Sequence, residues 1–341
     1  MPIVTAMKPD DFSSSRVLVT GGAGFIGSAL VWALNRCGCE DIVVCDILAT
    51  NEKWRNLTPL RFADYVEGGD LLPRLQSGAL GKFDLVLHMG ACSATTERNA
   101  TYLIRNNYEF TKDLAAWALA KKARFVYASS AATYGDGSAG MDDSEADIEA
   151  LRPLNMYGYS KQLFDLYAKR GGFLNKIVGL KYFIVYGPNE DHKADMRSLV
   201  QKSFAQVKNE GVIRLFKSYR KDYKDGEQKR DFLYVKDAVA MTLHLAASKK
   251  AGGLFNIGSG AARTWIDLAT SVFAALGKKP KIEFIEMPET IRDKYQYFTQ
   301  ADISKLRATG YREKITSLEK AVADYVQNYL ETDKRLEPSV A

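Results

Sequence analysis

The stretch RVLVTGGAGFIGSALVWALNRCG, residues 16–38, decides the fold of this chain. It joins a short apolar run to a glycine-rich turn and then to apolar residues at helical spacing, which predicts a strand, a tight turn and a helix. Gly22, Gly24 and Gly27 fit the spacing G-x-G-x-x-G, and Gly21, Gly24 and Gly27 fit G-x-x-G-x-x-G. Such glycines let the backbone approach a pyrophosphate, whose charge the helix N-terminus favours. The stretch therefore predicts a dinucleotide site.

Short apolar runs and helical patterns alternate along the first half of the chain. The run IVVCD ends in Asp46, whose carboxylate can accept a hydrogen bond from an adenosine ribose. FDLVLHMGA (residues 83–91) and ARFVYASS (residues 123–130) are further buried-strand patterns, and NNYEFTKDLAAWALAKK between them is helical. The alternation predicts an α/β fold, a Rossmann-type doubly wound parallel sheet that binds ligands at the carboxyl ends of its strands.

The length of the chain, 341 residues of which 46% are apolar, is enough for a second domain. We expect residues 1–15 to form a leader, because MPIVTAMKPDDFSSS has no regular apolar pattern. The boundaries we predict are a dinucleotide-binding domain over residues 16–180 and 231–260, and a smaller α/β substrate-binding lobe over residues 181–230 and 261–341.

Several classes of protein are disfavoured by composition. No run approaches the roughly 18 uninterrupted apolar residues of a membrane span, and the start lacks the apolar core of a signal peptide. The four cysteines form no CxxC pair and have no histidine cluster nearby, which argues against a disulfide framework and a metal site. We therefore expect a cytoplasmic protein with no membrane partner and no metal.

The formal charge of +6 comes from acids and bases that are interspersed along most of the chain. A nucleic-acid binder would show a long basic run interleaved with aromatic residues, so we expect no nucleic-acid partner. An anionic small substrate is a sufficient reason for the charge. The basic segment KSYRKDYKDGEQKR, residues 217–230, reads first as a solvated loop and second as an anion-binding lid.

The stretch LNMYGYSKQLFDLYAKRGG places Tyr157 and Lys161 four residues apart, and therefore on one face of a predicted helix. Only about 0.1% of a free phenol is ionised at neutral pH. An ammonium within about 4 to 6 Å favours the phenolate, which makes the tyrosine a usable proton acceptor. Ser130 ends the preceding strand pattern, whereas Tyr159 faces elsewhere, so Tyr157 is the candidate acid/base.

Longer blocks extend these motifs over most of the chain: HMGACSATTERNATYLIRNNY, YASSAATYG, PLNMYGYSK, VYGP followed by HK, RDFLYVKDA, FNIGSG and YQYFTQADISKLRATGY. Together they resemble the extended short-chain dehydrogenase/reductase family, the nucleotide-sugar epimerases and dehydratases. Within that family they are most similar to the enzymes that epimerise carbon 6 of an ADP-heptose, because GACSxTTE, the His-Lys pair and FTQAD are the most specific blocks. The likeness runs from about Arg16 to about Tyr325.

The resemblance implies conversion of ADP-D-glycero-β-D-manno-heptose into its L-glycero epimer, through oxidation of carbon 6 by tightly bound NADP+ and return of the hydride to the opposite face. Tyr157 would be one acid/base, Lys161 its electrostatic partner and a ribose anchor, and Ser130 a hydrogen-bond donor to the reacting oxygen. Lys193, in the loop EDHKADMRS, would be the second acid/base, although a lysine in a polar loop is most often a surface residue. We also expect a homo-oligomer.

The resemblance also implies ligand contacts. The expected cofactor contacts are Gly21, Gly24, Phe25, Ile26, Gly27, Asp46, Ile47, Lys53, Gly90, Ala91, Cys92, Ser93, Asn106, Lys161, Val185 and Lys193. The expected substrate contacts are Ile184, Asp195, Lys202, Phe216, Arg230 and Tyr295, the last two of them to the ADP.

Some positions depart from the family pattern. Met89 stands where the family has Glu, Ile184 where it has Asn, and Asp195 and Lys202 where it has Ser and His. These changes do not affect the redox residues, but the sequence does not settle which residues contact the sugar and the nucleotide. The basic segment, residues 217–230, is also longer than usual.

The choice of cofactor stays open at the level of sequence. Asp46 alone would suit NAD, whereas Lys53 and Arg55 could receive the 2'-phosphate of NADP, which is the cofactor we expect.

Two other functions compete with the 6-epimerase. The first is another nucleotide-sugar 4-epimerase or 4,6-dehydratase, although a dehydratase would want an acid pair beside the serine, where SSAAT offers alanines. The second is a sensor that binds dinucleotide without turnover, against which the intact Ser130, Tyr157 and Lys161 argue.

Overall fold

The structure is a computed structural model that describes residues 12–292 and 295–338. The first eleven residues of the expected leader lie outside this range. Phe12, within the leader, is only 4% exposed and belongs to the main hydrophobic core.

A seven-stranded parallel sheet forms the centre of the molecule, with the strand order β10-β6-β5-β4-β1-β2-β3. Its strands, in chain order, are β1 (Val17–Thr20), β2 (Ile42–Asp46), β3 (Asp64–Glu67), β4 (Leu85–His88), β5 (Arg124–Ala128), β6 (Val178–Tyr182) and β10 (Gly253–Ile257). The order reverses between β1 and β4, which is where doubly wound sheets bind ligands. The Rossmann-type fold expected from the sequence is confirmed.

Helices cover both faces of this sheet. The α-helices of the described residues are α1 (Phe25–Arg36), α2 (Leu71–Gln76), α3 (Ala100–Leu103), α4 (Phe110–Ala120), α5 (Met156–Arg170), α6 (Leu199–Glu210), α7 (Val235–Ala247), α8 (Trp265–Ala275), α9 (Glu289–Arg292), α10 (Ser304–Ala308) and α11 (Leu318–Tyr325). Of these, α6, α8 and α11 pack with smaller sheets. Burial on both faces explains the continuous apolar strands. In β1, for example, Val17 and Val19 enter one hydrophobic cluster and Leu18 the other.

Two small sheets lie beyond the large one. A three-stranded sheet has the order β11-β9-β7, and β12 pairs with β8. Their strands are β7 (Ile184–Tyr186), β8 (Ile213–Phe216), β9 (Lys229–Tyr234), β11 (Ala262–Thr264) and β12 (Ile282–Ile285). After β9 the chain returns through α7, which packs against α1 and β6. The exact domain boundaries that we predict stay a prediction.

No helix within the described ranges combines the length and the apolar character that crossing a membrane requires. Over the same residues, no group of three or more His, Cys, Asp or Glu side chains is placed to hold a metal ion.

Candidate active site

The backbone of the glycine turn after β1 lies in direct contact with the backbone of the loop after β4. Gly21 has a φ of +66°, and a Cβ there would lie 2.7 Å from the Gly90 nitrogen. A Cβ on Gly27 would lie 2.0 Å from the carbonyl oxygen of Gly21. Neither position can hold a larger side chain, so the turn keeps a bare backbone surface in front of the N-terminus of α1.

Two adjoining cavities, of about 340 and 540 Å³, open on this turn and share Gly21, Asp46, Lys53, Gly90 and Ala91 in their walls. The smaller cavity is also lined by further expected site residues: Gly24, Phe25, Ile26, Gly27, Ser93, Ser130, Tyr157, Lys161, Val185 and Lys193. The larger is also lined by Ile47, Cys92 and Asn106. The structure therefore brings every expected cofactor and catalytic position to one continuous cleft.

The Asp46 carboxylate accepts hydrogen bonds from four groups at the junction of the cavities, one of them the N–H of Ile47. Its Oδ2 accepts hydrogen bonds from the backbone N–H groups of Ala23 and Gly24, at 2.9 and 3.1 Å. Its Oδ1 accepts from the Lys53 ammonium at 2.6 Å. Arg55, by contrast, is an exposed residue paired with Glu52, and it lines neither cavity. Of the two cations proposed for a 2'-phosphate, only Lys53 faces the cleft.

Tyr157 and Lys161 project from α5, whose N-terminus is capped by Asn155. The Asn155 side chain accepts a hydrogen bond from the Gly158 N–H. Burial raises the pKa of Tyr157, and a hydrogen bond from Ser130 partly offsets this. In the protein alone, the direction is thus opposite to the lowering expected from Lys161. Burial also lowers the pKa of Lys161, to about 8.

Lys193 lies in the short helical turn Asp191–Met196, which follows β7. Its ammonium is 5.1 Å from the centre of the Phe25 ring, at the start of α1. Burial lowers the pKa of Lys193, and the nearby Glu190 carboxylate partly offsets the effect. Lys193 therefore faces the same cavity as Tyr157 but comes from a different element, and it is not a free surface charge.

The expected substrate residues are more scattered. Arg230 and Tyr295 are in contact, with the guanidinium 4.9 Å from the centre of the ring. Lys202 donates to the Asp195 carbonyl oxygen at 2.6 Å, and both residues are exposed. Ile184 and Phe216 lie in β7 and β8. None of the six lines either cavity of the cleft.

Asn107, which we did not single out from the sequence, holds the loop after β4. Its side chain bonds both the N–H and the C=O of Cys92, each at 2.9 Å, and donates to the Ser160 hydroxyl at 3.0 Å. It lies in a π-helical turn, Ile104–Glu109, between α3 and α4. Only its place beside Asn106 in the sequence could have indicated it.

His192, also not among the expected site residues, lines the smaller cavity beside Lys53 and Lys193. Burial and these two cations lower its pKa to about 4, so the ring is neutral at pH 7. The His-Lys pair was visible in the sequence, although only the lysine was assigned a role.

These residues fit a nicotinamide dinucleotide. The turn at Gly21 and Gly27 has no room for a side chain, as a pyrophosphate cradle requires. Lys53 and Asp46 lie at the carboxyl end of β2, where the ribose of a bound adenosine is received in this fold. The fold and the cleft are typical of a dinucleotide-dependent enzyme, and Ser130, Tyr157 and Lys161, here called the Ser-Tyr-Lys centre, line one of its cavities.

Known proteins show the same class. The model of the NAD dependent epimerase/dehydratase family matches residues 17–258. The chain is 54% identical over 314 residues to the ADP-L-glycero-D-manno-heptose-6-epimerase of Nitratidesulfovibrio vulgaris, an alignment that covers 92% of this chain and 97% of that protein. This chain belongs to the NAD dependent epimerase/dehydratase family, and the family resemblance seen in its sequence is confirmed.

Solved structures agree with that membership. The crystal structure of the Helicobacter pylori ADP-L-glycero-D-manno-heptose-6-epimerase has a TM-score of 0.79 to this chain and 28% sequence identity, over 96% of this chain and 99% of that one. The Thermus thermophilus UDP-glucose 4-epimerase, solved with NAD, has a TM-score of 0.69 and 25% identity, over 92% of this chain and 99% of that one.

Proposed function

We propose that this protein is a nucleotide-sugar epimerase that inverts carbon 6 of ADP-D-glycero-β-D-manno-heptose to give the L-glycero epimer. The observation that carries the proposal is the pair of proton-transfer groups, Tyr157 and Lys193, on two different elements that line one cavity. An enzyme that handles the same oxygen in two orientations needs such a group on each side. The relatives that carry this name, at 54% and 45% identity, support the choice of substrate.

The residues that line the cleft would hold the dinucleotide, whose nicotinamide ring would supply the acceptor and donor of the hydrogen on carbon 6. The protein supplies the proton transfers. Burial favours the neutral forms of both groups, a Tyr157 phenol that can donate a proton and a Lys193 amine that can accept one. The amine would take the hydroxyl proton of one epimer as the hydride leaves carbon 6, and the planar ketone would then turn over. The phenol would protonate the oxygen in its new orientation as the hydride returns. A proton released to solvent by the Lys193 ammonium and one taken up by the Tyr157 phenolate would restore both groups. Ser130 holds that oxygen through its hydroxyl.

The ADP of the substrate is assigned to the region of Arg230. This guanidinium is 4% exposed, and within the described part of the chain no carboxylate forms an ion pair with it. Its polar contact is to the Lys229 carbonyl oxygen at 3.0 Å, and its face lies against Tyr295. Burying a cation without an opposite charge nearby costs free energy. The diphosphate of the substrate would supply that opposite charge to Arg230.

NADP is the cofactor we assign, with NAD as the alternative. Lys53 supports this assignment because its ammonium lies in the cleft beside Asp46 and offers a charge to a 2'-phosphate. A cytoplasmic location and a homo-oligomeric state also stay predictions for this protein.

The test is to incubate the purified protein with ADP-D-glycero-β-D-manno-heptose and to determine the configuration of carbon 6 in the product by NMR. UDP-glucose serves as the matched substrate for a 4-epimerase. Inversion at carbon 6 with an unchanged UDP-sugar is the expected result. Inversion at carbon 4 of UDP-glucose instead, or release of water from either sugar, contradicts the assignment, and binding of dinucleotide without any turnover identifies a sensor.

A further inference from the structure

A buried ion pair lies directly beneath the Ser-Tyr-Lys centre. Asp165, on α5, is 0% exposed and Lys181, on β6, is 1% exposed. The Lys181 ammonium lies 3.2 Å from Oδ2 of Asp165. A buried ion pair of this kind can often be replaced by uncharged residues without loss of stability. Its place between the elements that carry the site points to a function other than stability.

The Asp165 carboxylate links the catalytic helix to the end of strand β5. Asp165 lies one helical turn beyond Lys161 and two turns beyond Tyr157, on the same face of α5. Its Oδ2 accepts a hydrogen bond from the Ser129 hydroxyl at 2.8 Å, and Ser129 immediately precedes Ser130. The carboxylate therefore ties the strand end that carries the serine to the helix that carries the other two groups.

The Lys181 ammonium holds the other side of Ser130. It donates to the Thr133 hydroxyl at 2.6 Å. That hydroxyl in turn donates to the Ser130 carbonyl oxygen at 2.8 Å. Ser130 is thus bracketed, through Ser129 on one side and Thr133 on the other, by the two members of the ion pair.

We propose that Asp165 is a positioning residue of the epimerase: with Lys181 it sets the place of Ser130 relative to Tyr157 and Lys161. The inference rests on the proposed function, whose reacting groups these are.

The same carboxylate also acts on the charge of Lys161. Burial lowers the pKa of Lys161, and Asp165 is the largest opposing influence, followed by Cys92 from the loop after β4. Two other titratable groups near Lys161 carry no charge. His88, at the end of β4, has its pKa lowered to about 3, and Tyr157, on the same helix as Lys161, has its pKa raised. Removing the negative charge of Asp165 therefore lets Lys161 lose its proton at a lower pH.

The test combines Asp165→Leu with Lys181→Met, so that no buried charge is left unpaired and both Ser129 and Thr133 lose their partner in the ion pair. The proposal expects kcat to fall about 10-fold or more at pH 7 with KM changed less than about 3-fold, as for the loss of transition-state positioning. It also expects the alkaline rise in the dissociation constant of the dinucleotide to begin at a lower pH.

The matched control is Tyr127→Phe, which removes a 2.7 Å hydrogen bond to the other oxygen of Asp165 but leaves Ser129 and both charges in place. Its pH profile should equal that of the unaltered protein. A double variant with unchanged kcat and unchanged pH dependence overturns the proposal. If the double variant does not fold, Ser129→Ala cuts the same link to β5, and a normal kcat in that variant overturns it equally.

The dinucleotide titration keeps the two proposals separate, because it does not involve the sugar. If the unaltered protein leaves ADP-heptose unchanged, the substrate assignment fails. The pH at which dinucleotide binding weakens then still decides whether Asp165 acts on Lys161.

Discussion

The ammonium of Lys53 lies 2.6 Å from Oδ1 of Asp46, at the junction of the two cavities that form the cleft. The two members of the pair favour different cofactors, the carboxylate NAD and the ammonium NADP. The carboxylate favours a free ribose hydroxyl and repels a phosphate, whereas the ammonium neutralises that carboxylate and can turn to a 2'-phosphate.

We expect Lys53→Met to weaken NADP binding about 10- to 100-fold relative to NAD, the usual effect of losing a charged hydrogen bond. Arg55→Met is the matched control, because Arg55 is a neighbouring cation that pairs with Glu52 outside the cleft. Calorimetric titration of both dinucleotides measures the ratio. Recovery of NAD alone from the denatured unaltered protein would contradict the assignment of NADP.

Lys193→Met and Tyr157→Phe should each lower epimerisation by about 10² to 10⁴, the usual loss when a general acid or base is removed. Both variants keep the bulk of the side chain, so folding and dinucleotide binding should persist. In heavy water the product should carry no deuterium at carbon 6, because the hydrogen on that carbon is not exchanged with solvent. Full activity of the Lys193 variant would show that this lysine is only a cavity wall.

Arg230→Met should weaken ADP binding by about 100-fold while dinucleotide affinity changes little, because Arg230 lines neither cavity of the cofactor cleft. ADP itself, titrated against the protein saturated with dinucleotide, is the probe. An equal loss of both affinities would mean that the guanidinium supports the fold and does not receive the diphosphate.

The basic segment, residues 217–230, contacts the region of Arg230 and Tyr295 through aromatic side chains. The Arg220 guanidinium lies 5.2 Å from the centre of the Tyr297 ring, which in turn contacts Tyr295. Arg220→Ala should raise the KM for the ADP-sugar several-fold with little effect on kcat, and deletion of residues 217–226 should do the same more strongly. Lys221→Ala, at an exposed neighbouring position, is the control. If Arg220 and Lys221 variants behave alike, the segment is only a solvated loop.

The parts of the site that were predictable from sequence are those set by local geometry. The glycine spacing fixes the turn, and the period of a helix places Tyr157 and Lys161 on one face. Lys193 was assigned only through family resemblance, because its approach to Phe25 depends on how the loop after β7 folds back on α1.

Other features had no signal in the sequence at all. Asp165 reads as a polar position of an amphipathic helix, and its burial follows from Lys181 on a distant strand. The substrate lobe is equally hard to place from sequence, since Asp195 lies in an irregular turn and Lys202, in α6, bonds the Asp195 backbone carbonyl on the surface.

His88 provides a prediction about stability in acid. Its ring, 1% exposed, lies between the hydroxyls of Thr20 and Thr111, at 2.6 and 2.8 Å, and burial lowers its pKa to about 3. The unfolded chain, with an ordinary histidine pKa near 6.5, therefore binds more protons than the folded protein between about pH 6.5 and 3. The free energy of unfolding should fall as the pH drops through that window, by up to about 1.4 kcal/mol per pH unit for this one group, and His88 should add no pH dependence above it.

Urea unfolding at pH 7.5, 6.5 and 5.5 measures this dependence. His88→Gln should lower the stability at pH 7.5, because the ring also packs against Phe125. It should reduce the loss of stability between pH 6.5 and 5.5, because glutamine does not titrate there.

His192, with a pKa lowered to about 4, contributes in the same direction, so His192→Gln should also reduce the loss of stability over this pH range. The two differ in that His192 lines the cofactor cavity, so saturation with dinucleotide should change its contribution and leave that of His88 unaltered. If the free energy of unfolding of His88→Gln depends on pH as steeply as that of the unaltered protein, protonation of the buried ring is not the cause of the acid destabilisation.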